Sequence, residues 1–182
     1  MDISVIVPIY NVENYILECL QSVAVQTKTK DVECILVDDC GTDNSVKVAE
    51  QFISAYEGDI SFALLHHPEN KGLSAARNTG IKNARGNYLF FLDSDDMIKP
   101  YCLDELFALA EAYQADMVQG SYESDLASMK HFEDCQLPEF SDNKSFIKRT
   151  LLNYDVNPVM AQNRLVRKQL VVENNLWFKE GI

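Results

Sequence analysis

Short apolar runs alternate with amphipathic helical patterns along the first 120 residues of this 182-residue chain. Apolar runs predict buried strands, and apolar residues at three- and four-residue spacing predict helices that bury one face. The predicted strands are residues 3–9, 34–37, 60–66, 88–92 and 117–120. The predicted helices are residues 15–26 and 46–56, a short helix that follows from the loop at 70–78 and ends near Gly86, and a segment that starts at Pro100. Because strands that alternate with helices form parallel sheets, we expect an α/β fold with a mainly parallel central sheet flanked by helices.

The regular alternation stops after Gly120, which predicts a division of the chain into residues 1–120 and 121–182. Residues 122–142 are polar and acidic, and residues 143–154 again have helical spacing. We predict short strands at 164–167 and 176–178, with a short helix between them. Within the predicted helices, the spacing places Leu17 and Tyr113 on buried faces.

Composition narrows the class of partner and the cellular compartment. The formal net charge of −12 argues against nucleic acid or an anionic membrane surface as the main partner. The five cysteines are odd in number and lack Cys-x-x-Cys spacing, so we expect reduced thiols in the cytoplasm. The sequence has no signal peptide and no apolar stretch long enough to span a bilayer. His66 and His67 lack a nearby ligand at metal-site spacing, which favours a structural role.

Carboxylates follow two of the predicted strands directly. Asp93, Asp95 and Asp96 come after the run at 88–92, and Asp38 and Asp39 come after the run at 34–37. The carboxyl edge of an open parallel sheet is where ligands bind. Carboxylates crowded there repel one another unless a hard divalent ion, which also binds substrate phosphates, lies between them. The pattern predicts a metal-bridged phosphate ligand, and the alternative is that these aspartates only cap turns.

Four ordered blocks carry a family resemblance, whereas no Gly-x-Gly-x-x-Gly motif of a dinucleotide-binding fold follows the first strand. The blocks are residues 7–11 (VPIYN), 36–43 (LVDDCGTD), 70–78 (NKGLSAARN) and 91–96 (FLDSDD). With them the chain resembles the family 2 glycosyltransferases, which share the fold type called GT-A and have a Rossmann-like nucleotide-binding half. One departure is Cys40-Gly41, where the family usually has Gly-Ser.

The resemblance implies roles on the donor side of a nucleotide-sugar site. Pro8 and Tyr10 would line the base pocket, and Asp39 would accept a hydrogen bond from a base N–H. That acceptor favours uracil and leaves guanine or thymine open. Asp93 and Asp95 would form the Asp-x-Asp motif that contacts the ribose and a diphosphate-bound Mg²⁺ or Mn²⁺.

Arg77 has two readings at this stage. The resemblance places it in a loop that borders the nucleotide, and the alternative is an arginine on a helix surface with a structural partner.

The implied activity is an inverting transfer of sugar from a nucleoside-diphosphate sugar, with a UDP-sugar favoured, to a hydroxyl acceptor. The acceptor would be a carbohydrate or a lipid-linked carbohydrate in cell-surface polysaccharide synthesis, handled in the cytoplasm with or without peripheral contact to the membrane. Residues 1–120 would form the nucleotide-sugar-binding half and residues 121–182 an acceptor-side region, incomplete at its C-terminus. Relatives place a Glu-Asp pair after a block like 178–181, so we expect the catalytic base beyond Ile182.

Other assignments remain open. If the base lies within the chain, Asp125, Glu133 and Asp134 are the next candidates. The chain could also bind a nucleotide sugar without transferring it. A sugar-phosphate nucleotidyltransferase is a further alternative, but it would need a glycine-rich, basic loop after the first strand, and residues 12–14 (VEN) are neither.

Overall fold

The computed structural model describes residues 1–26, 31–120 and 161–181, which form one six-stranded sheet with helices on both faces. The strands are β1 (Ile3–Ile9), β2 (Val32–Asp38), β3 (Ser61–His66), β4 (Tyr88–Phe91), β5 (Met117–Gln119) and β6 (Arg164–Arg167). The helices are α1 (Ile16–Ala24), α2 (Ser45–Ala55), α3 (Leu73–Asn83), α4 (Cys102–Ala112) and α5 (Lys168–Glu173). The strand order is β3-β2-β1-β4-β6-β5, and β6 is antiparallel to both of its neighbours.

The four N-terminal strands are parallel, and their register brings their carboxyl ends to one edge of the sheet. Ile9 pairs with Asp38, and Asp38 pairs with His66. On the other side of β1, Ile6 pairs with Phe91. The residues that follow β1, β2 and β4 therefore emerge side by side, which is the arrangement that the acidic strand ends predict.

Strands β1, β2 and β4 are buried along their whole length because helices cover both faces of the sheet. Alternate side chains point to two separate cores. One core contains Val5 of β1 together with the buried faces of α1, α2 and α4. The other contains Ile6 of β1 together with α3 and Val171 of α5. Helix α3 packs closely, because a Cβ added at Gly80 would lie 2.3 Å from Cγ2 of Ile6.

Several local predictions are wrong. The segment predicted as a strand at 176–178 is not a strand, because the Phe178 backbone bonds to the Asn78 side chain instead of to a neighbouring strand. Helix α4 begins at Cys102 and not at Pro100, and Tyr113, just after its end, is 79% exposed. Leu17 is also exposed, because the buried face of α1 runs through Ile16, Cys19, Leu20 and Val23.

The strand at 164–167 and the short helix after it are confirmed. The predicted helix at 143–154 and Cys135 lie outside the described residues, and the four described cysteines are free. Within the described ranges, no helix is both long enough and apolar enough to cross a membrane.

Candidate functional site

A cleft of about 470 Å³ opens at the carboxyl edge of β1, β2 and β4. Its volume falls in the range of about 300–1,000 Å³ that is typical of small-molecule sites. The lining residues come from the four sequence blocks and are Pro8, Ile9, Tyr10, Asp39, Asn70, Gly72, Leu73, Ala76, Asp93, Ser94 and Asp95. Every predicted site residue except Arg77 therefore lies on the cleft wall.

The carboxylate of Asp39 is buried and held by several donors. Its Oδ1 accepts the Lys71 N–H at 2.8 Å and lies 2.7 Å from Nδ1 of His67. Its Oδ2 accepts the Gly72 N–H at 2.8 Å. Gly72 takes up a φ of +86°, a left-handed conformation that favours glycine, at the start of α3. The loop before α3 is thus tied to the end of β2 through this one side chain.

The neighbouring Asp38 has a different role and does not line the cleft. Its Oδ1 accepts the backbone N–H groups of Cys40 and Gly41, and its Oδ2 lies 3.0 Å from Nδ1 of His66. These are the bonds of a turn-forming aspartate. Turn chemistry therefore describes Asp38, whereas Asp39 faces the cleft.

The second acidic strand end, which follows β4, also borders the cleft. Asp93 and Asp95 line the cleft, and Asp96 lies beside them. Burial raises the pKa of Asp96, and the negative charges of Asp95 and Asp93 raise that pKa further. Like charges repel one another at this spacing, so a cation bound among these carboxylates would be favourable.

Arg77 supplies one positive charge to this cluster from behind the cleft. Its Nη2 donates to Oδ1 of Asp93 at 2.6 Å, and its guanidinium lies 5.3 Å from the centroid of the Phe178 ring. Its Nε is buried and has no hydrogen-bond partner among the described residues. Arg77 is only 9% exposed, so it does not lie on the helix surface, but Asp93 and Phe178 are structural partners of the kind that the alternative reading expects. Direct contact with a nucleotide stays a prediction.

The family model described as "Glycosyl transferase family 2" matches residues 4–173. The chain belongs to this family. It is 35% identical to the uncharacterized glycosyltransferase EpsJ of Bacillus subtilis, over 99% of this chain and 52% of that protein. It is 44% identical to the glycosyltransferase GlyA of Streptococcus pneumoniae, over 67% of this chain and 17% of that protein. The chain thus spans about half or less of the length of these two relatives.

Two solved glycosyltransferase structures match the fold of this chain. The structure of Staphylococcus aureus TarS 1–349 in complex with UDP-GlcNAc matches with a TM-score of 0.76 and 26% identity, over 99% of this chain and 49% of that one. A mannosyltransferase from Pyrobaculum calidifontis in complex with GDP-Man and Mn²⁺ has a TM-score of 0.70 at 19% identity, which supports the fold alone. The predicted family and the predicted α/β fold of GT-A type are confirmed.

The donor set of this family 2 site fits a hard divalent cation. Among residues 1–26, 31–120 and 161–181, no group of three or more His, Cys, Asp or Glu side chains is arranged to hold a metal ion. Asp93 and Asp95 border the cleft and could supply two carboxylate ligands of the kind that Mg²⁺ takes from proteins.

The structure brings to the site three residues that sequence patterns did not place there, among them His67, for which the sequence favours a structural role. His67 contacts Asp39, and Asn78 and Phe178 hold a C-terminal segment against Arg77. A signal was available for His67, because it directly follows β3 at the same sheet edge. The candidate bases Asp125, Glu133 and Asp134, and any residue after Ile182, lie outside the described part of the chain.

Proposed function

We propose that this chain is the donor-binding part of an inverting glycosyltransferase that uses a UDP-sugar. The observation that carries the proposal is the pairing, across one cleft, of a buried acceptor at Asp39 with an acidic strand end at Asp93 and Asp95. A nucleotide needs both, because its base presents N–H groups and its diphosphate binds through a cation. Residues 1–120 would bind the donor, and residues 121–182 would belong to the acceptor side.

The base-binding side consists of Pro8, Tyr10 and Asp39. Tyr10 is 49% exposed, so its ring is available to pack on a base. An ionised carboxylate accepts hydrogen bonds and donates none, so Asp39 favours uracil, which has an N3–H, over cytosine, which lacks one. The TarS structures in complex with UDP and with UDP-GlcNAc support a uridine donor for this chain.

The diphosphate side consists of Asp93 and Asp95, with Mg²⁺ or Mn²⁺ as the cofactor. A bound ion would act as a Lewis acid that neutralises the leaving diphosphate. Asp93 and Asp95 would orient that ion from the end of β4, while Arg77 holds Asp93 in place through their 2.6 Å hydrogen bond.

In the transfer, the acceptor oxygen forms a bond to the anomeric carbon while the bond from that carbon to the diphosphate oxygen breaks. The hydroxyl proton passes to a carboxylate base, and UDP leaves with the bonding electrons. The predicted position of that base, after Ile182, stays a prediction. A carbohydrate acceptor in cell-surface polymer synthesis is supported by TarS, a poly(ribitol-phosphate) β-N-acetylglucosaminyltransferase 30% identical over 100% of this chain. A cytoplasmic location, with or without peripheral membrane contact, belongs to the same proposal.

Calorimetric titration of the chain with UDP, CDP and GDP, each with and without Mn²⁺, tests this function. We expect UDP to bind at least about tenfold more tightly than CDP, since a hydrogen bond to a charged group contributes about 1.5–3 kcal/mol. Asp95→Asn should weaken Mn²⁺-dependent UDP binding by about tenfold or more and leave metal-free binding unchanged. Equal affinities for the three nucleotides, or an Mn²⁺ response unchanged by Asp95→Asn, would contradict the proposal.

A further inference from the structure

A chain of three hydrogen-bonded side chains, two of them buried, runs from α3 to the wall of the cleft. Thr79 Oγ1 lies 2.9 Å from Nε2 of His67, and Nδ1 of the same ring lies 2.7 Å from Oδ1 of Asp39. The side chains of His67 and Asp39 are only 7% and 4% exposed. The backbone fixes the histidine as well, because the His67 N–H donates to the Asp38 carbonyl oxygen at 2.9 Å.

The partners of His67 determine where its protons lie. An ionised carboxylate only accepts, so Nδ1 of His67 must carry a proton and donate it to Oδ1 of Asp39. In the neutral ring Nε2 is then the acceptor, and the Thr79 hydroxyl donates to it. The carboxylate therefore sets the tautomer, and the threonine hydroxyl satisfies the second ring nitrogen in that tautomer, as second partners of functional histidines commonly do.

The lone pairs of the Asp39 carboxylate limit how many hydrogen bonds it can still accept from a ligand. Each carboxylate oxygen offers about two acceptor positions. Oδ1 of Asp39 already receives two donors, His67 Nδ1 and the Lys71 N–H. Oδ2 receives one, the Gly72 N–H, and Asp39 borders the cleft. Counted over the residues that the structure describes, one acceptor position on Oδ2 therefore remains for a base N–H.

We infer that His67 is a positioning residue for base recognition, which occupies Oδ1 of Asp39 and leaves a single acceptor on Oδ2 to select a base with a ring N–H, as uracil has at N3 and cytosine lacks. This inference rests on the proposed function, because it explains how the donor base is read. Without His67, Oδ1 regains an acceptor position and the carboxylate loses the contact that fixes its plane. The selectivity for uracil should then fall more than the affinity for the rest of the nucleotide.

The adjacent histidine provides a matched control. Nδ1 of His66 lies 3.0 Å from Oδ2 of Asp38, so the two histidines make the same kind of contact with successive aspartates. The His66 side chain is 51% exposed, and Asp38 does not line the cleft. A substitution of His66 therefore removes an equivalent hydrogen bond without touching the acceptor that faces the base.

The experiment compares UDP and CDP affinities by calorimetry at saturating Mn²⁺ for the wild type, His67→Leu, His67→Asn and His66→Leu. We expect the UDP/CDP ratio to fall by about tenfold in His67→Leu, the loss of one hydrogen bond to a charged group. His67→Asn should restore most of the ratio, because its amide N–H₂ can stand near the position of Nδ1. His66→Leu should keep the wild-type ratio.

Other outcomes overturn the inference in distinguishable ways. If His67→Leu weakens the binding of UDP and of CDP equally, His67 has a purely structural role. The proposed function would still stand in that case, because the wild type would keep its preference for UDP. A wild type without UDP preference would instead remove the base-reading part of the proposed function, and the inference with it. If His67→Leu does not fold, Thr79→Val serves in its place. Thr79→Val should also lower the UDP/CDP affinity ratio, by a smaller factor than His67→Leu, and an unchanged ratio would overturn the inference.

Discussion

Arg77 donates a 2.6 Å hydrogen bond to Oδ1 of Asp93, so the protein places its own cation on a carboxylate proposed to bind the metal. The two side chains are 11% and 25% exposed, and the ring of Phe178 covers the guanidinium. This cation offsets part of the repulsion among the three aspartates of the strand end. Arg77 and a metal ion would therefore act on the same charge cluster from opposite sides.

Arg77→Gln should lower the free energy of unfolding and make the protein more responsive to Mn²⁺. Breaking a fully buried ion pair costs about 3–5 kcal/mol, and the partial exposure of Asp93 reduces our expectation to about 2 kcal/mol. Added Mn²⁺ should raise the Tm of the variant more than that of the wild type, because the ion then relieves more repulsion. Thermal unfolding with and without Mn²⁺ measures both effects.

Arg85→Gln is the matched control for this prediction. Arg85 also pairs with a buried carboxylate, Glu33, but the pair lies at the opposite edge of the sheet. This variant should lose stability without any change in its response to Mn²⁺. An equal Mn²⁺ shift in Arg77→Gln and the wild type would show that Arg77 has no influence on the cation site.

The sequence predicts the part of the site that depends only on where the strands end and on the direction in which they run. Apolar runs locate the ends of β2 and β4, and parallel pairing brings Asp39 and Asp93 to one edge of the sheet. It does not predict contacts between side chains that only the folded core brings together. Asn78 and Phe178 are 100 positions apart, and no periodicity in either segment indicates that they meet.

The local errors have similar causes. The apolar residues at 176–178 suggested a strand, but Asn78 satisfies the backbone N–H and carbonyl of Phe178, which leaves no need for a strand partner. Tyr113 continues the apolar spacing of α4, but the helix ends at Ala112 and the ring projects into solvent. Spacing describes a face and does not determine where the helix stops.

The buried carboxylate of Glu33 should make stability depend on pH in the acid range. Burial raises its pKa, but hydrogen bonds from Ser4 Oγ, the Arg85 N–H and Arg85 Nε outweigh that effect and hold the pKa below its ordinary value of 4.5. A carboxylate with a lowered folded pKa stabilises the protein above pH 4.5, and that contribution is lost as pH falls through the folded pKa.

Glu33→Gln should therefore cost about 1.5–3 kcal/mol at neutral pH, the range for a hydrogen bond to a charged group. Its free energy of unfolding should also fall less steeply than that of the wild type from about pH 5 downward. Urea denaturation over a pH series measures both. Glu57→Gln, at an exposed position, should follow the wild-type profile. Parallel profiles for Glu33→Gln and the wild type would contradict the prediction.

Asn78 ties the segment after α5 to helix α3 through both ends of its amide. Its Nδ2 donates to the Phe178 carbonyl oxygen at 2.9 Å and to Glu180 Oε1 at 2.7 Å, and its Oδ1 accepts the Phe178 N–H at 3.0 Å. Asn78 is 3% exposed. The single tryptophan of the chain, Trp177, lies in this segment, with Lys82 Nζ 5.8 Å from its ring centroid. Trp177 is therefore a built-in reporter of whether the segment is docked.

Asn78→Asp should release this segment while the rest of the fold persists. The aspartate keeps an acceptor for the Phe178 N–H but has no donor, and its charge faces Glu180, so we expect a loss of about 2 kcal/mol. Trp177 emission should shift to longer wavelength and become more open to acrylamide quenching, with little change in far-ultraviolet circular dichroism. Asn83→Asp is the control, because among the described residues Asn83 Nδ2 bonds only to the Thr79 carbonyl oxygen of its own helix. Since Phe178 covers Arg77, release should also weaken Mn²⁺-dependent UDP binding in Asn78→Asp and not in the control. Unchanged Trp177 emission would show that the segment is held by other contacts, such as the packing of Phe178 on Phe91.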